Sequence, residues 1–214
     1  MSRGMKAVLA VSLALNVLLL AGAAWVVAQV GARPLAEQVG VLEARRPAYD
    51  VYAVERFDGL PGSSTVVIGD SQAELGPWSE ILGGPVAVRG QGGATTAEIA
   101  GWTWAVPTST ARTIVLAGSN DVLLGTDHSR LRDDAERLYA ALPGEVVAVG
   151  VPPLAGLETE SAAANEVLRE AADAAGATWV DPTAALTGPG LVRHDGVHLT
   201  GTGYEALARL LRTP

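Results

Sequence analysis

Short runs of β-branched residues alternate with longer stretches of helical spacing from residue 64 onward, and this alternation restricts the folds open to the chain. The runs are apolar at successive positions, which is typical of strands buried on both faces. Five such strands joined by crossover helices predict one parallel sheet covered by helices on both sides. The strands are expected at residues 65–68, 86–88, 113–116, 146–149 and 178–180. Helices are expected near residues 72–82, 95–104, 129–142, 159–175 and 202–212.

Residues with useful chemistry follow the predicted strands, where the carboxyl ends of a parallel sheet bind ligands. A serine follows the first strand, a glycine-rich loop the second and an asparagine the third, and an Asp/His pair precedes the last helix. Because all of these positions map to one edge of the sheet, the sequence predicts a single functional site there. The residues are Ser71, the loop 89–96, Asn120, Asp195 and His198.

This set of side chains has the chemistry of acyl transfer. A serine hydroxyl is a poor nucleophile until a base removes its proton, so we predict Ser71 as nucleophile and His198 as base. Asp195 would hold the imidazole in one tautomer and stabilise its protonated form. The backbone N–H groups of Ser71 and Gly93 and the side-chain amide of Asn120 would form the oxyanion hole.

Four sequence blocks contain these residues: GDSQAE at 69–74, RGQGGATT at 89–96, GSND at 118–121 and DGVHLTGTGY at 195–204. In sequence and order they resemble the blocks of the SGNH (GDSL-type) hydrolase family. The resemblance extends outside the blocks, where residues 52–71 and 165–182 resemble the branch of platelet-activating-factor acetylhydrolase subunits. The resemblance covers residues 49–212.

The resemblance implies a flavodoxin-like three-layer α/β/α fold and esterase, lipase, thioesterase or carbohydrate-deacetylase activity without a metal or cofactor. By motif, Ser71 matches the nucleophile, Asp195 and His198 match the other two catalytic residues, and Gly93 and Asn120 match the oxyanion residues.

The second block departs from the family's frequent pattern N-R-G-x-S-G-D-T-T. Val88, Gly92 and Ala94 stand where that pattern has asparagine, serine and aspartate. The oxyanion glycine is kept, and the connection between Ser71 and Gly93 is short, so we expect an open, shallow site.

The N-terminus reads as a membrane segment. Residues 7–32 carry no charge, and this stretch exceeds the roughly 20 apolar residues that span a bilayer. Arg3 and Lys6 precede it and favour a cytoplasmic start, which places the remaining chain outside. We predict an uncleaved anchor at 1–32, a stalk and connector at 33–62 and the hydrolase domain at 63–214. A secreted protein cleaved near residues 21–23 is the alternative.

Composition removes several classes of function. The absence of cysteine excludes disulfides, thiolate metal sites and a cysteine nucleophile. The formal net charge of -8 argues against a nucleic-acid partner.

The spacing of His194 and His198 resembles the zinc motif H-E-x-x-H, but that motif works on a helix, and Gly196 between them favours a loop. We therefore expect no metal ligands.

The predicted protein is an extracytoplasmic serine ester hydrolase that cleaves a small, acetyl-like acyl ester through an acyl-enzyme. An envelope glycan or lipid would be the substrate, and the composition, rich in alanine and glycine and poor in lysine, suggests a bacterial source. An acyltransferase using the same site and a catalytically silent, membrane-tethered binding module are the alternatives. Trp102 and Trp104 are expected to pack, with sugar stacking as a second interpretation.

Overall fold

The computed structural model divides the chain into two compact units, Met1–Pro47 and Ala48–Pro214. The predicted anchor at 1–32 and the first part of the predicted connector fall largely outside the described residues. Within the described part of the chain, no helix combines the length and apolar character that a membrane crossing requires. The anchor therefore stays a prediction. The described residues are 4–6, 12–13, 15–16, 18–22, 25 and 49–212.

The second unit contains the predicted five-stranded parallel sheet, which is thereby confirmed. Its strand order is β2-β1-β3-β4-β5, and all paired neighbours run parallel. The chain adds β2 on one side of β1 and then β3 on the other, so the order reverses at β1. A crevice is expected beyond the carboxyl end of β1, where ligands bind in sheets of this kind. The strands are β1 Thr65–Gly69, β2 Val86–Gly90, β3 Arg112–Leu116, β4 Glu145–Val149 and β5 Thr178–Val180.

Nine α-helices of this unit surround the sheet in the described residues. The helix predicted over 72–82 is two short helices, because Gly76 and Pro77 interrupt it and proline cannot donate to a helical ladder. The helix predicted over 95–104 ends at Ala100 and is followed by the 3₁₀ turn Thr103–Ala105. The helices are α1 Tyr49–Phe57, α2 Ser71–Leu75, α3 Trp78–Leu82, α4 Thr96–Ala100, α5 Ser119–Leu124, α6 His128–Ala140, α7 Glu158–Ala175, α8 Thr183–Leu186 and α9 Gly201–Leu211.

Each face of the sheet carries its own hydrophobic core. Val66 and Ile68 of β1 join one cluster with residues of α1, α4, α6 and α7. Val67, between them in sequence, joins the other cluster with residues of α3 and α9. Since successive strand residues point to opposite faces, this division gives three layers of the α/β/α type.

Helix α1 precedes the first strand and packs into the same folded unit as the sheet. Tyr49, Ala53 and Phe57 recur at helical spacing and are 7%, 0% and 4% exposed, so one face of α1 is in the core. The ring of Phe57 lies 6.1 Å from that of Trp102. By contacts the unit begins at Ala48, while the predicted limit at residue 62 stays an interpretation of the sequence.

The C-terminal helix provides a test of the second core. Leu207 of α9 is fully buried, while Leu210 on the same helix is only partly buried. Leu207→Ala is expected to lower the free energy of unfolding by about 2–5 kcal/mol, since it removes buried methyl groups and leaves a cavity. Urea denaturation measures the loss, with Leu210→Ala as the matched control. Equal losses in the two variants would contradict this packing of α9.

Candidate active site

Ser71 is the first residue of α2, at the end of the sharp turn that follows β1. Gly69 has a φ of +156°, and a side chain there would collide with the carbonyl oxygen of Leu116 in the neighbouring strand. Asp70 caps α2, with its side chain accepting the N–H of Gln72 at 2.8 Å. The turn therefore places Ser71 half-buried at the carboxyl edge of the sheet.

The structure brings Ser71, His198 and Asp195 together, although the serine and the histidine are 127 residues apart. His198 Nε2 lies 3.0 Å from Ser71 Oγ, and His198 Nδ1 lies 3.0 Å from Asp195 Oδ2. The imidazole thus bridges the hydroxyl and the carboxylate with one ring nitrogen to each. This is the arrangement that nucleophile, base and orienting acid require.

A tight turn holds the histidine in place. Asp195 Oδ1 accepts the backbone N–H groups of Val197 and His198, each at 2.9 Å, and Gly196 between them has a φ of +73°. The N–H of His198, followed by that of Val197 and the imidazole, holds the pKa of Asp195 well below its usual range. The side chain of Gln72 on α2 donates to the Val197 carbonyl at 2.8 Å, which ties this turn to the serine helix.

The glycine-rich loop lies beside the serine, and Asn120 contacts this loop. The loop turns at Gln91–Ala94, and Gly93 in this turn has a φ of +82°, which favours glycine. A side chain added at Gly92 would begin 3.6 Å from the Cβ of Ser71. Asn120 is the second residue of α5, which follows β3. Its amide donates to the Ala94 carbonyl at 2.9 Å, and the same nitrogen carries a second N–H.

Two buried carboxyl groups, those of Asp70 and Asp121, hold the backbone beside the site through hydrogen bonds. Burial raises the pKa of Asp70 to about 7, against the opposing effect of hydrogen bonds from the Gln72 N–H and the Ser119 side chain. Burial also raises the pKa of Asp121, whose Oδ2 accepts the Thr96 N–H and hydroxyl at 2.8 Å each. Asp121 thereby joins the start of α4 to α5. In the sequence, Asp70 directly precedes Ser71 and Asp121 directly follows Asn120, and this adjacency is what marks the two aspartates.

Sequence reasoning missed one further contact of the glycine loop. Glu74, three residues after the serine on α2, accepts the N–H of Gly92 at 2.6 Å. It also pairs with Arg56 of α1 at 2.6 Å. No local pattern marks these residues, because Arg56 and Gly92 are distant from Glu74 in sequence.

The remaining candidates have separate places. Trp102 is fully buried and donates its indole N–H to the Arg89 carbonyl at 3.1 Å, so its packing role is confirmed. Trp104 is 49% exposed. His194 is exposed and shares a turn with His198, where the zinc motif would need a helix. Over the residues that the structure describes, no group of three or more acidic or histidine side chains could hold a metal ion.

The buried Asp70 gives stability a pH dependence. Its pKa in the folded chain, about 7, exceeds the ordinary 3.8, so the folded chain binds this proton more tightly than the unfolded chain. Stability should therefore fall as the pH rises from about 4 to about 7, by up to about 4 kcal/mol at about 1.4 kcal/mol per pKa unit. Urea denaturation across this range measures it.

Asp70→Asn keeps an acceptor for the Gln72 N–H and cannot ionise, so this variant should show a smaller decline. The part due to Asp121, whose pKa burial also raises, should remain. Asp58→Asn changes an exposed aspartate and serves as the control. A wild type and an Asp70→Asn variant with parallel pH profiles would show that Asp70 does not carry the effect.

Comparisons with known proteins agree with this architecture. One similar structure is a protein provisionally named a platelet activating factor, from Streptococcus pneumonia, with a TM-score of 0.66 and 19% identity over 77% of this chain and 89% of that one. Another is a carbohydrate acetylesterase family member from Sinorhizobium meliloti, with a TM-score of 0.56 and 20% identity over 69% and 94%. A third is a catalytic mutant of an acetylxylan esterase from Geobacillus stearothermophilus, with a TM-score of 0.56 and 16% identity over 71% and 94%.

At these identities the likeness shows the fold. No curated protein matches the chain. The model of the GDSL-like lipase/acylhydrolase family matches residues 62–206, a stretch that includes all four sequence blocks and more than half of the 214 residues. The chain therefore belongs to the GDSL-like lipase/acylhydrolase family, and it is a serine ester hydrolase.

Proposed function

We propose that the chain hydrolyses a small, acetyl-like ester outside the cytoplasm, with Ser71 as nucleophile, His198 as base and Asp195 as the orienting acid. One observation carries the proposal: the side chains form a continuous hydrogen-bonded series in which each link is 3.0 Å. A base within hydrogen-bond reach of the hydroxyl, itself oriented by a third group, is the geometry that covalent acyl transfer needs.

The reaction proceeds in two half-reactions. His198 Nε2 takes the proton of Ser71 Oγ as this oxygen attacks the ester carbonyl carbon. The tetrahedral intermediate collapses, the bond to the alcohol oxygen breaks, and the proton on His198 passes to the departing alcohol. Water then attacks the acyl-serine with His198 again taking the proton, and its return to Ser71 Oγ releases the carboxylic acid. Asp195 stays ionised throughout and stabilises the imidazolium, in keeping with its lowered pKa.

The oxyanion of each tetrahedral intermediate would be bound by the N–H groups of Ser71 and Gly93 and by the amide of Asn120. Support comes from the closeness of the loop to the serine, since a Cβ added at Gly92 would lie 3.6 Å from Ser71 Cβ, and from the bond of Asn120 to the Ala94 carbonyl at 2.9 Å. That bond fixes the Asn120 amide plane beside the loop. Losing one such donor typically costs about 10²–10³ in rate.

A short acyl group suits the surroundings of the serine. Three cavities of about 350 to 430 Å³ lie on the described part of the chain, and neither Ser71 nor His198 lines any of these three. Two of the similar structures bear names of enzymes acting on acetylated carbohydrates. Together with the proposed external location, this favours an acetyl ester on an envelope glycan or lipid.

The location is proposed from the N-terminal sequence. Residues 7–32 are uncharged and follow Arg3 and Lys6, which favours a membrane anchor with a cytoplasmic N-terminus. The hydrolase domain would then act beside the outer face of the membrane.

Replacing the nucleophile tests the mechanism. With p-nitrophenyl acetate, butyrate and octanoate, the wild type should hydrolyse acetate best, since none of the three cavities described above is lined by Ser71 or His198. Ser71→Ala should lower kcat by up to about 10⁶. Ser109→Ala, at an exposed loop position, is the matched control and should keep full activity.

If the wild type and Ser71→Ala are equally inert, fluorophosphonate labelling decides the matter, since it needs only an activated serine. Label on Ser71 would keep the mechanism and reject the simple esters as substrates. A folded wild type without label would overturn the mechanism and favour a binding module.

Fractionation tests the location. The full-length chain should remain in the membrane pellet after an alkaline carbonate wash, and protease added from outside should remove the hydrolase domain. A variant lacking residues 1–32 should leave the membrane. Recovery of a shortened chain that begins near residues 21–23 would instead show a cleaved signal peptide, and full-length chain in the soluble fraction would reject both forms of the location.

A further inference from the structure

The glycine loop after β2 has little intrinsic order. Gly90, Gly92 and Gly93 fall within four residues, and glycine has the largest backbone freedom to lose on folding. A loop that must hold an oxyanion donor in one place therefore needs contacts from outside. The structure supplies these contacts from the two helices that flank the loop, α1 and α2.

Glu74 makes the central contact. Its Oε2 accepts the N–H of Gly92 at 2.6 Å, and its Oε1 pairs with Arg56 Nη1 at 2.6 Å. The same Arg56 nitrogen donates to the side chain of Gln91 at 2.9 Å. Hydrogen bonds with an ionised partner are roughly twice as strong as neutral ones. Both carboxylate oxygens of Glu74 are thus committed to holding the loop or the residue that braces it.

The glycine-rich loop also packs closely against α1 and α2. A side chain at Gly90 would collide with the backbone of Glu74, so α2 lies directly over the start of the loop. At Gly93, an added side chain would meet the hydroxyl of Tyr49 in α1. The loop therefore lies between the two helices, within reach of Ser71 on one side and of α1 on the other.

We propose that Glu74, braced by Arg56, is a positioning residue that fixes the glycine loop relative to the nucleophile. Glu74 and Ser71 are three residues apart on the same short helix, so one rigid element carries both the attacking oxygen and the anchor of the loop. Glu74 touches no reacting atom and acts through the backbone of Gly92. The catalytic consequence rests on the proposed function, in which Gly93 is an oxyanion donor.

Kinetics test the consequence. Glu74→Ala removes the acceptor, and kcat for p-nitrophenyl acetate should fall by about 10–100-fold with little change in KM, since small displacements at a reacting centre can cost about 100-fold. Glu74→Gln keeps one acceptor oxygen for the Gly92 N–H but loses the charge pairing with Arg56, so its activity should lie between that of Glu74→Ala and that of the wild type. Glu80→Ala, which removes an exposed carboxylate from α3, is the matched control. Arg56→Met should give a smaller loss than Glu74→Ala.

Hydrogen–deuterium exchange of the full chain tests the positioning without any substrate. Peptides covering residues 86–95 should exchange faster in Glu74→Ala than in the wild type. Glu74→Gln should lie between these two, and Glu80→Ala should stay close to the wild type. Unchanged exchange in Glu74→Ala would overturn the proposal. Faster exchange with unchanged Ser71-dependent turnover would also overturn it, because the loop would then be held without effect on the reaction.

The two proposals fail separately. The proposed function would be rejected if the wild type hydrolyses no ester and Ser71 takes no fluorophosphonate label. Exchange at the loop would still show whether Glu74 fixes it.

Discussion

The turn at the end of β1 is bonded to both neighbouring strands, and every other part of the site is placed relative to it. Asp70 N–H donates to the carbonyl of Leu116 in β3 at 3.0 Å, while Gln91 N–H, just after β2, donates to the carbonyl of Gly69 at 2.9 Å. These bonds are possible because β1 lies between β2 and β3 in the sheet, so its carboxyl end has a neighbour on each side. Ser71 therefore lies between the glycine-rich loop that follows β2 and the start of α5, which carries Asn120.

Three aspartates near this turn show how environment sets charge. Asp70 is buried, and burial raises its pKa to about 7, which leaves it partly protonated near neutral pH. Burial also raises the pKa of Asp121. Asp195 lies at the surface and accepts two backbone N–H groups, so its pKa is lowered. An ionised carboxylate is needed only beside His198, since only there does the proposed reaction create a positive charge.

The sequence predicts those features that depend on local pattern or on sheet topology. Uninterrupted apolar runs predict the strands. The rule that parallel strands present their carboxyl ends at one edge predicts that Ser71, Asn120 and His198 lie at that edge. The break at Pro77 could have been read from the proline itself. The link from Arg56 through Glu74 to Gly92 could not, because it depends on how α1 and α2 are rotated over the loop.

Helix α1 shows why the connector before the first strand is part of the active-site architecture. It buries Tyr49 and Phe57 in the core and brings Arg56 to Glu74. A chain beginning at residue 63 would lack Phe57 and Arg56. Trp102 would then lose its aromatic neighbour, and Glu74 would contact the loop without its counter-charge. Residues before β1 thus contribute to the core and, through Arg56 and Glu74, to the loop on which the proposed reaction depends. This is a structural reason to set the start of the folded unit at Ala48.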